Sequence, residues 1–329
     1  MRIAVDGYGG DNAPAEVVKG VLAALEQDGE LEVLLTGKAE ELRTLAGEHS
    51  RLIIKDAPEV ISCEETPTLA IRTKKNSSLV VALNAVKEGE ADGLVSAGST
   101  GAVLVGATLI VGRVKGVERP ALAPALPTVK GGNVILCDCG ANVDCKSSYL
   151  VGFARMAVAY QKGVFGLNNP RVGLLNNGAE ETKGNAFALE CYGLLSQAEG
   201  INFIGNVEAR DILSGDVDVV VADGFNGNIA LKSAEGTANA VFSLLKEGIY
   251  AGGARAKLGA LLLKPVFKGL KRKLDYNEHG GAAFLGLKKP VVKAHGSSKA
   301  KSVCGAILQV RDMVLGGVSE RLAEDLKND

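Results

Sequence analysis

The run Val217-Asp218-Val219-Val220-Val221 is apolar at nearly every position. A strand with one wet face alternates apolar and polar residues, so a run of this kind reads as a strand covered on both faces. Similar short runs recur at 2–6, 31–35, 51–55, 92–96, 121–126, 133–137, 171–175, 201–204 and 290–294, with this one extending over 217–222. Amphipathic stretches at helical spacing fall at 14–27, 38–47, 77–89, 100–112, 147–162, 183–198, 226–250 and 298–326. This alternation predicts a mainly parallel sheet with helices on both faces, a three-layer αβα sandwich. No internal repeat or low-complexity linker divides the chain. Residues 1–329 therefore read as one α/β domain, with an amphipathic helical element at about 236–278 protruding from it.

Composition narrows function chiefly by exclusion. The 37 basic and 38 acidic side chains leave a net charge of −1, which argues against wholesale binding of a polyanion. There is no Trp, and Phe and Tyr are scattered, so no platform for stacking bases and no nucleic-acid partner is expected. The chain opens directly on an apolar strand, and no stretch reaches the ~18 apolar residues of a spanning helix, so a cytoplasmic location is expected. Six cysteines suit a reducing compartment. Cys137, Cys139 and Cys145 lack the spacing and the neighbouring His of a zinc site, and no metal is expected.

The chain has 42 glycines, and many fall where strands end. The turns at 6–12, 96–101, 138–142, 176–180 and 223–228 are dense in Gly, Asn, Asp and Ser, at the strand ends where α/β proteins hold ligands. A dinucleotide site does not fit. Gly7-x-Gly9 begins G-x-G-x-x-G, but Asn12 stands in the third glycine's place, Pro14 follows, and no acidic residue ends a second strand near position 35. No G-x-x-x-x-G-K-[ST] occurs either, so no cofactor is expected. The loops at 96–101 and 223–228 have instead the form of small-anion sites, where backbone N–H groups meet a ligand; packing alone would account for each loop equally well.

Lys183, at the start of a helix, can reach an anion held in adjoining loops, although an exposed lysine is ordinarily just solvated. Arg72, Lys74 and Lys75 precede the helix-cap sequence Asn76-Ser77-Ser78, and could serve either as a solvated face or in collecting phosphate. His295 follows the last predicted strand within Ala294-His295-Gly296-Ser297-Ser298, without the G-x-S-x-G elbow of a hydrolase. Residues 254–274 carry seven Lys and Arg and no acid. On a helical wheel Leu258, Leu262, Leu263, Val266, Phe267, Leu270 and Leu274 share one half, while Lys257, Lys264, Lys268, Lys271 and Arg272 share the other. Pro265 should interrupt this helix. Such a segment suits an interfacial membrane contact or the docking of an acidic protein.

Taken together, these loops resemble the bacterial phosphate acyltransferase (PlsX) family along essentially the whole chain. The matching stretches are D-x-x-G-G-D-x-A-P at 6–14, K-K-N-S-S-L at 74–79, D-x-G-A-N-V-D at 138–144 and G-N-V-E-A-R-D at 205–211. D-G-F-x-G-N-x-x-L-K at 223–232 and K-A-H-G-S-S at 293–298 complete the main set. Ser99, Asn177 and Asn226 depart from the residues common in the family. The resemblance implies a fold like isocitrate and isopropylmalate dehydrogenases, a homodimer, and neither metal nor nicotinamide. It implies acyl carrier protein as acyl donor, inorganic phosphate as acceptor, and peripheral association with the inner face of the cell membrane. An enzyme of the phosphotransacetylase kind using acyl-CoA would share fold and loops.

The expected catalytic residues are Lys183, Asn228 and His295. Expected phosphate and substrate contacts are Asp6, Gly9, Gly10, Ser99, Thr100, Asn142, Asn185, Asp223, Gly224 and Gly227. Carrier or membrane contact is expected at Arg255, Leu258, Leu262, Lys264, Lys271 and Arg272.

Overall fold

The computed structural model describes residues 1–274 and 280–327, together with their side chains except those of 271–274. One sheet holds β1 (Arg2–Asp6), β2 (Glu32–Gly37), β3 (Leu52–Asp56), β4 (Gly93–Ser96), β5 (Ala121–Pro127) and β6 (Asn133–Cys137). It continues with β7 (Arg171–Asn176), β8 (Asn202–Glu208), β9 (Val219–Val221), β10 (Ala282–Leu285) and β11 (Val291–Lys293). The spatial order is β3-β2-β1-β4-β11-β10-β5-β6-β9-β7-β8. Neighbours run parallel except where β10 meets β11 and β5, and where β5 meets β6. The strands of the first half therefore point opposite to those of the second, and loops at strand C-termini leave from opposite edges.

Helices α1 (Ala15–Gln27), α2 (Ala39–Ala46), α6 (Ser147–Phe165), α7 (Ala186–Gln197), α11 (Ala300–Leu315) and α12 (Val318–Asp325) cover one face of the sheet. Alternate residues of each strand serve opposite faces. Ile3, Val5, Val33, Leu35, Ile135, Cys137, Val219 and Val221 enter one continuous core with these helices. On the other face the core is divided. Ala4, Leu94 and Val291 pack with α4 (Ser78–Lys87) and α5 (Thr100–Gly106), whereas Val134, Leu136 and Val220 pack with Ile212 and Leu231. The three-layer sandwich thus has a seam on one side only.

Several elements differ from the expectations. α3 (Pro67–Thr73) is seven residues long and opens on proline, too short for a helical period to show. β10 is a four-residue antiparallel strand bounded by Gly281 and Gly286. The helix expected over 298–326 is two, parted at Gly317, which adopts φ +58°. The stretch 100–112 ends in a π-helical turn, Ala107–Val111. α8 (Gly224–Ala251) buries only Gly224, Gly227 and Leu231, all in its first two turns, so its distal part leaves the body. α9 (Gly253–Leu262) and α10 (Lys264–Leu274) follow it, separated at Leu263 with Pro265 the second residue of α10. The interruption expected from Pro265 is present, since a proline N–H is not needed in a first turn.

Candidate functional site

The loops after β1, β4 and β11 interlock. Asp6 is buried, and its Oδ2 accepts from Ser96 Oγ at 2.7 Å while Ser96 Oγ accepts from the Gly98 amide at 3.0 Å. Burial pushes the Asp6 carboxyl above its ordinary range, against the hydrogen bonds from Ser78, Ser96, Tyr8 and Gly9. Gly9 has no room for a side chain, because a β-carbon would lie 2.6 Å from the Gly98 nitrogen and 2.7 Å from Asp6 Oδ2. The Asp11 amide donates to Gly296 O at 2.8 Å, and Asn12 Nδ2 donates to Ser297 O at 3.1 Å. Gly10 packs against Gly296 O and Ala97. His295 is exposed, with Nδ1 2.8 Å from Ser297 Oγ. Ser99 and Thr100 open α5 beside this cluster, Ser99 half-buried and Thr100 exposed.

A second cluster forms around Asp138, just after β6. Its Oδ1 accepts from the amides of Leu122 (2.8 Å) and Ala141 (3.1 Å). Its Oδ2 accepts from the Asn142 amide (2.6 Å) and Asn142 Nδ2 (2.9 Å). Burial raises this carboxyl, with those hydrogen bonds opposing. Asn142 Nδ2 also donates to Pro120 O at 2.8 Å, and Asn142 O accepts from the Gly224 amide at 2.8 Å. Asp223 caps α8, its Oδ1 accepting from the amides of Phe225 (3.0 Å) and Asn226 (2.8 Å). Asn142, Asp223, Gly224, Gly227 and Asn228 are therefore neighbours, and the Asn228 side chain lies against Gly140.

The 138–142 loop continues the β5–β6 ladder over the start of β5, where Cys139 N donates to Leu122 O at 2.9 Å. α8 then presents Asn228, Lys232 and Glu235, spaced four and three apart, on one face. Lys232 pairs with Glu235 at 2.7 Å and lies within electrostatic reach of both Cys139 and Lys293. Through Lys232 the second cluster comes within electrostatic reach of the first.

Lys183 and Asn185 stand in the turn after β7, on the groove side of the start of α8. Asn185 caps α7 by accepting from the Ala188 amide at 2.9 Å, and Lys183 is exposed, its carbonyl accepting from Asn176 Nδ2 at 3.1 Å. Asn185, Asp223 and Asn226 rim an apolar groove of about 1130 Å³. Ile229, Ser233, Thr237 and Val241 line it from α8. By helical spacing these residues occupy the side opposite Asn228. No hydrogen bond joins Lys183 to Asn228 among the described residues.

The sequence reading quoted Asp138 and Lys293 within motifs but gave neither a role. Lys293 is 8% exposed, and its Nζ donates to Ala97 O at 3.4 Å and to Ala294 O. Burial pulls its ammonium down to about 8, and the charges of Cys63, Asp11 and Asp6 oppose that fall. A lysine ending an otherwise apolar strand was the available signal. Lys74 and Lys75 are taken up locally. Lys74 bonds Glu65 at 2.8 Å and Val60 O at 2.8 Å, and Lys75 bonds Ile71 O at 3.1 Å. Burial holds the Cys137 and Cys139 thiols far above their ordinary range, which removes them as nucleophiles.

Arg255, Leu258, Leu262 and Lys264 are all exposed on α9 and α10, while the side chains of Lys271 and Arg272 lie outside those described. Among the described residues no helix is long and apolar enough to cross a membrane.

Residues 1–321 match the family model described as "Fatty acid synthesis protein". A protein of Bacillus licheniformis named phosphate acyltransferase is 49% identical over 327 residues, covering 99% of this chain and 98% of the relative. Among solved structures, a phosphotransacetylase from Streptococcus pyogenes superposes with a TM-score of 0.63 at 20% identity, covering 95% of this chain and 94% of that one. A structure from Salmonella typhimurium, described as a 4-hydroxythreonine-4-phosphate dehydrogenase, does so with a TM-score of 0.51 at 14% identity, covering 96% and 99%. These two likenesses concern the fold, which is that of the expected dehydrogenase-like class.

Proposed function

This chain belongs to the fatty acid synthesis protein family, and from that premise we propose that it is a phosphate acyltransferase. It moves a fatty acyl group from an acyl carrier protein thioester to inorganic phosphate, giving acyl phosphate for phospholipid synthesis. The near-full-length identity to a relative named for this activity is the observation that carries the reading. The loop clusters, rich in backbone donors and short polar side chains, are the setting it requires.

Phosphate is itself the nucleophile, so no Ser or Cys intermediate is needed. One phosphate oxygen bonds to the thioester carbon while the C–S bond breaks and its electron pair leaves with sulfur. Written with monohydrogen phosphate, the reaction balances without another reactant, because the phosphate's proton ends on the released thiol. The protein's task is to hold the reactants close and to stabilise the tetrahedral oxyanion. Asn228, with backbone N–H groups at the start of α8, serves as the donor to phosphate or oxyanion. Lys183, from the groove side of α8, offsets the charge of incoming phosphate, and His295 assists the leaving sulfur. The chain acts in the cytoplasm as a homodimer, with α9 and α10 touching an anionic membrane surface or the acidic carrier.

The test is release of free thiol from a long-chain acyl carrier protein, with and without phosphate. Phosphate-dependent release is expected, and release that ignores phosphate would sink the assignment. Faster turnover with acyl-CoA than with the carrier thioester would instead favour a phosphotransacetylase.

A further inference from the structure

Two buried donors in the first loop cluster have hydrogen-bonding capacity to spare. An ammonium carries three N–H donors, and Lys293 Nζ, more than nine-tenths buried, spends its contacts on two backbone carbonyls. No carboxylate lies within ion-pairing distance of it among the described residues. Ser298 is equally buried, at 8% exposure, and its hydroxyl has no hydrogen-bond partner. Buried charges are ordinarily paired, and buried hydroxyls ordinarily bonded, because desolvating either without compensation is costly. Two such groups within six residues, in loops tied together by Asp11, Asn12 and Gly296, mark a place where an anionic partner would complete both.

We propose that the acceptor phosphate binds where the loops after β1, β4 and β11 meet, held by the Lys293 ammonium and the Ser298 hydroxyl. This rests on the acyl-transfer reading and gives the acceptor a definite seat in it. The surrounding charges suit the role. Asp6 is held by the Ser96 hydroxyl, which donates to its Oδ2. Asp11 sits at the loop surface, Cys63 is an exposed thiol, and Lys232 approaches from α8 on the far side as a second cation. An anion seated beside Lys293 also offsets the desolvation that weakens the ammonium in its absence. Lys232 of α8 would then lie within electrostatic reach of the phosphate.

Calorimetric titration of the full chain with inorganic phosphate tests this, alongside steady-state KM values for phosphate and for the thioester. Lys293→Met should weaken phosphate binding on the order of 10- to 100-fold, the worth of a charge-assisted hydrogen bond, and leave the thioester KM nearly unchanged. Lys293→Arg should recover part of the loss. Ser298→Ala should weaken phosphate about 2- to 10-fold. Unchanged phosphate affinity in Lys293→Met, or a rise in the thioester KM alone, overturns the proposal. If Lys293→Met fails to fold, Ser298→Ala decides by the same comparison. Should the wild type bind phosphate through these residues yet release no thiol, the acyl-transfer reading fails while the anion site stands.

Discussion

Gly227 passes directly beneath the carbonyl of Asp138, with no space between them for a β-carbon. The contact locks the first turn of α8 to the loop after β6, and Gly224 makes a similar approach to the Asn142 carbonyl. Because the obstacle is backbone on both sides, neither partner can swing away. Gly227→Ala should therefore shift the turn that carries Asn228, lowering turnover on the order of 100-fold, as sub-ångström to ångström misplacements do. It should also cost about 1–3 kcal/mol of stability through overpacking. Denaturant melts and steady-state rates on one preparation check both; wild-type turnover would show that the turn tolerates displacement.

Asp218 fixes the start of β9 to β7, since its Oδ2 accepts from the Arg171 amide at 2.8 Å and from Arg171 Nε at 2.9 Å, and its Oδ1 accepts from Nη2 at 2.9 Å. Burial alone would raise this carboxyl, but the Arg171 hydrogen bonds outweigh it and hold it below its ordinary value. A depressed carboxyl contributes stability above its unfolded pKa and loses it as pH falls through the folded one. Asp218→Asn should cost about 1–2 kcal/mol at neutral pH, toward the low end because Arg171 is partly exposed. The gap between variant and wild type should close as pH drops below about 4. A difference independent of pH would mean that the loss is steric.

How far the sequence foretold this arrangement depends on the range of the interaction. Strand runs such as 217–222 and the cap at Ser77 are local, and they landed within a few residues. β10 escaped because its four residues are small or apolar, bounded by glycine, and acquire strand character only by pairing with β5 and β11. Its two antiparallel pairings cancel, so β5 runs parallel to β11, and it is the β5–β6 pair that sends the two sets of loops from opposite edges. Lys183 and Asn228 sit in neighbouring glycine-rich turns of the sequence and read as one group. In the fold, α8 puts Asn228 on one side and the groove rimmed by Asn185 on the other. Which side of a helix faces which loop is a tertiary property, invisible to spacing until the neighbours are known.

Asn228 stands exposed beside Gly140, its side chain unburdened by a role in capping, which falls to Asp223. Its removal should therefore spare the fold and tell on chemistry alone. Asn228→Ala is expected to lower turnover about 10²–10³-fold with little change in melting, the cost of losing one oxyanion donor. Lys183→Ala is expected to raise the KM for phosphate if its charge helps gather the anion. Near-normal turnover and phosphate KM in both variants would remove these residues from the mechanism.

Leu258 and Leu262 are 60% and 74% exposed on α9, a helix that buries none of its residues. Leucines one turn apart, kept in water beside Arg255 and Lys264, are what an anionic bilayer surface would cover. Changing both to Ser should weaken binding to vesicles containing anionic lipid by about tenfold per leucine, since each buried leucine side chain is worth roughly 1.5–3 kcal/mol. Arg255→Gln with Lys264→Gln should weaken it less, and only at low salt, because exposed charges are screened within about 10 Å at 0.1 M. Cosedimentation at two salt concentrations separates the contributions. Equal sedimentation of the wild type and the double serine variant would leave the exposed leucines to a protein partner, the acidic carrier or a second copy of the chain.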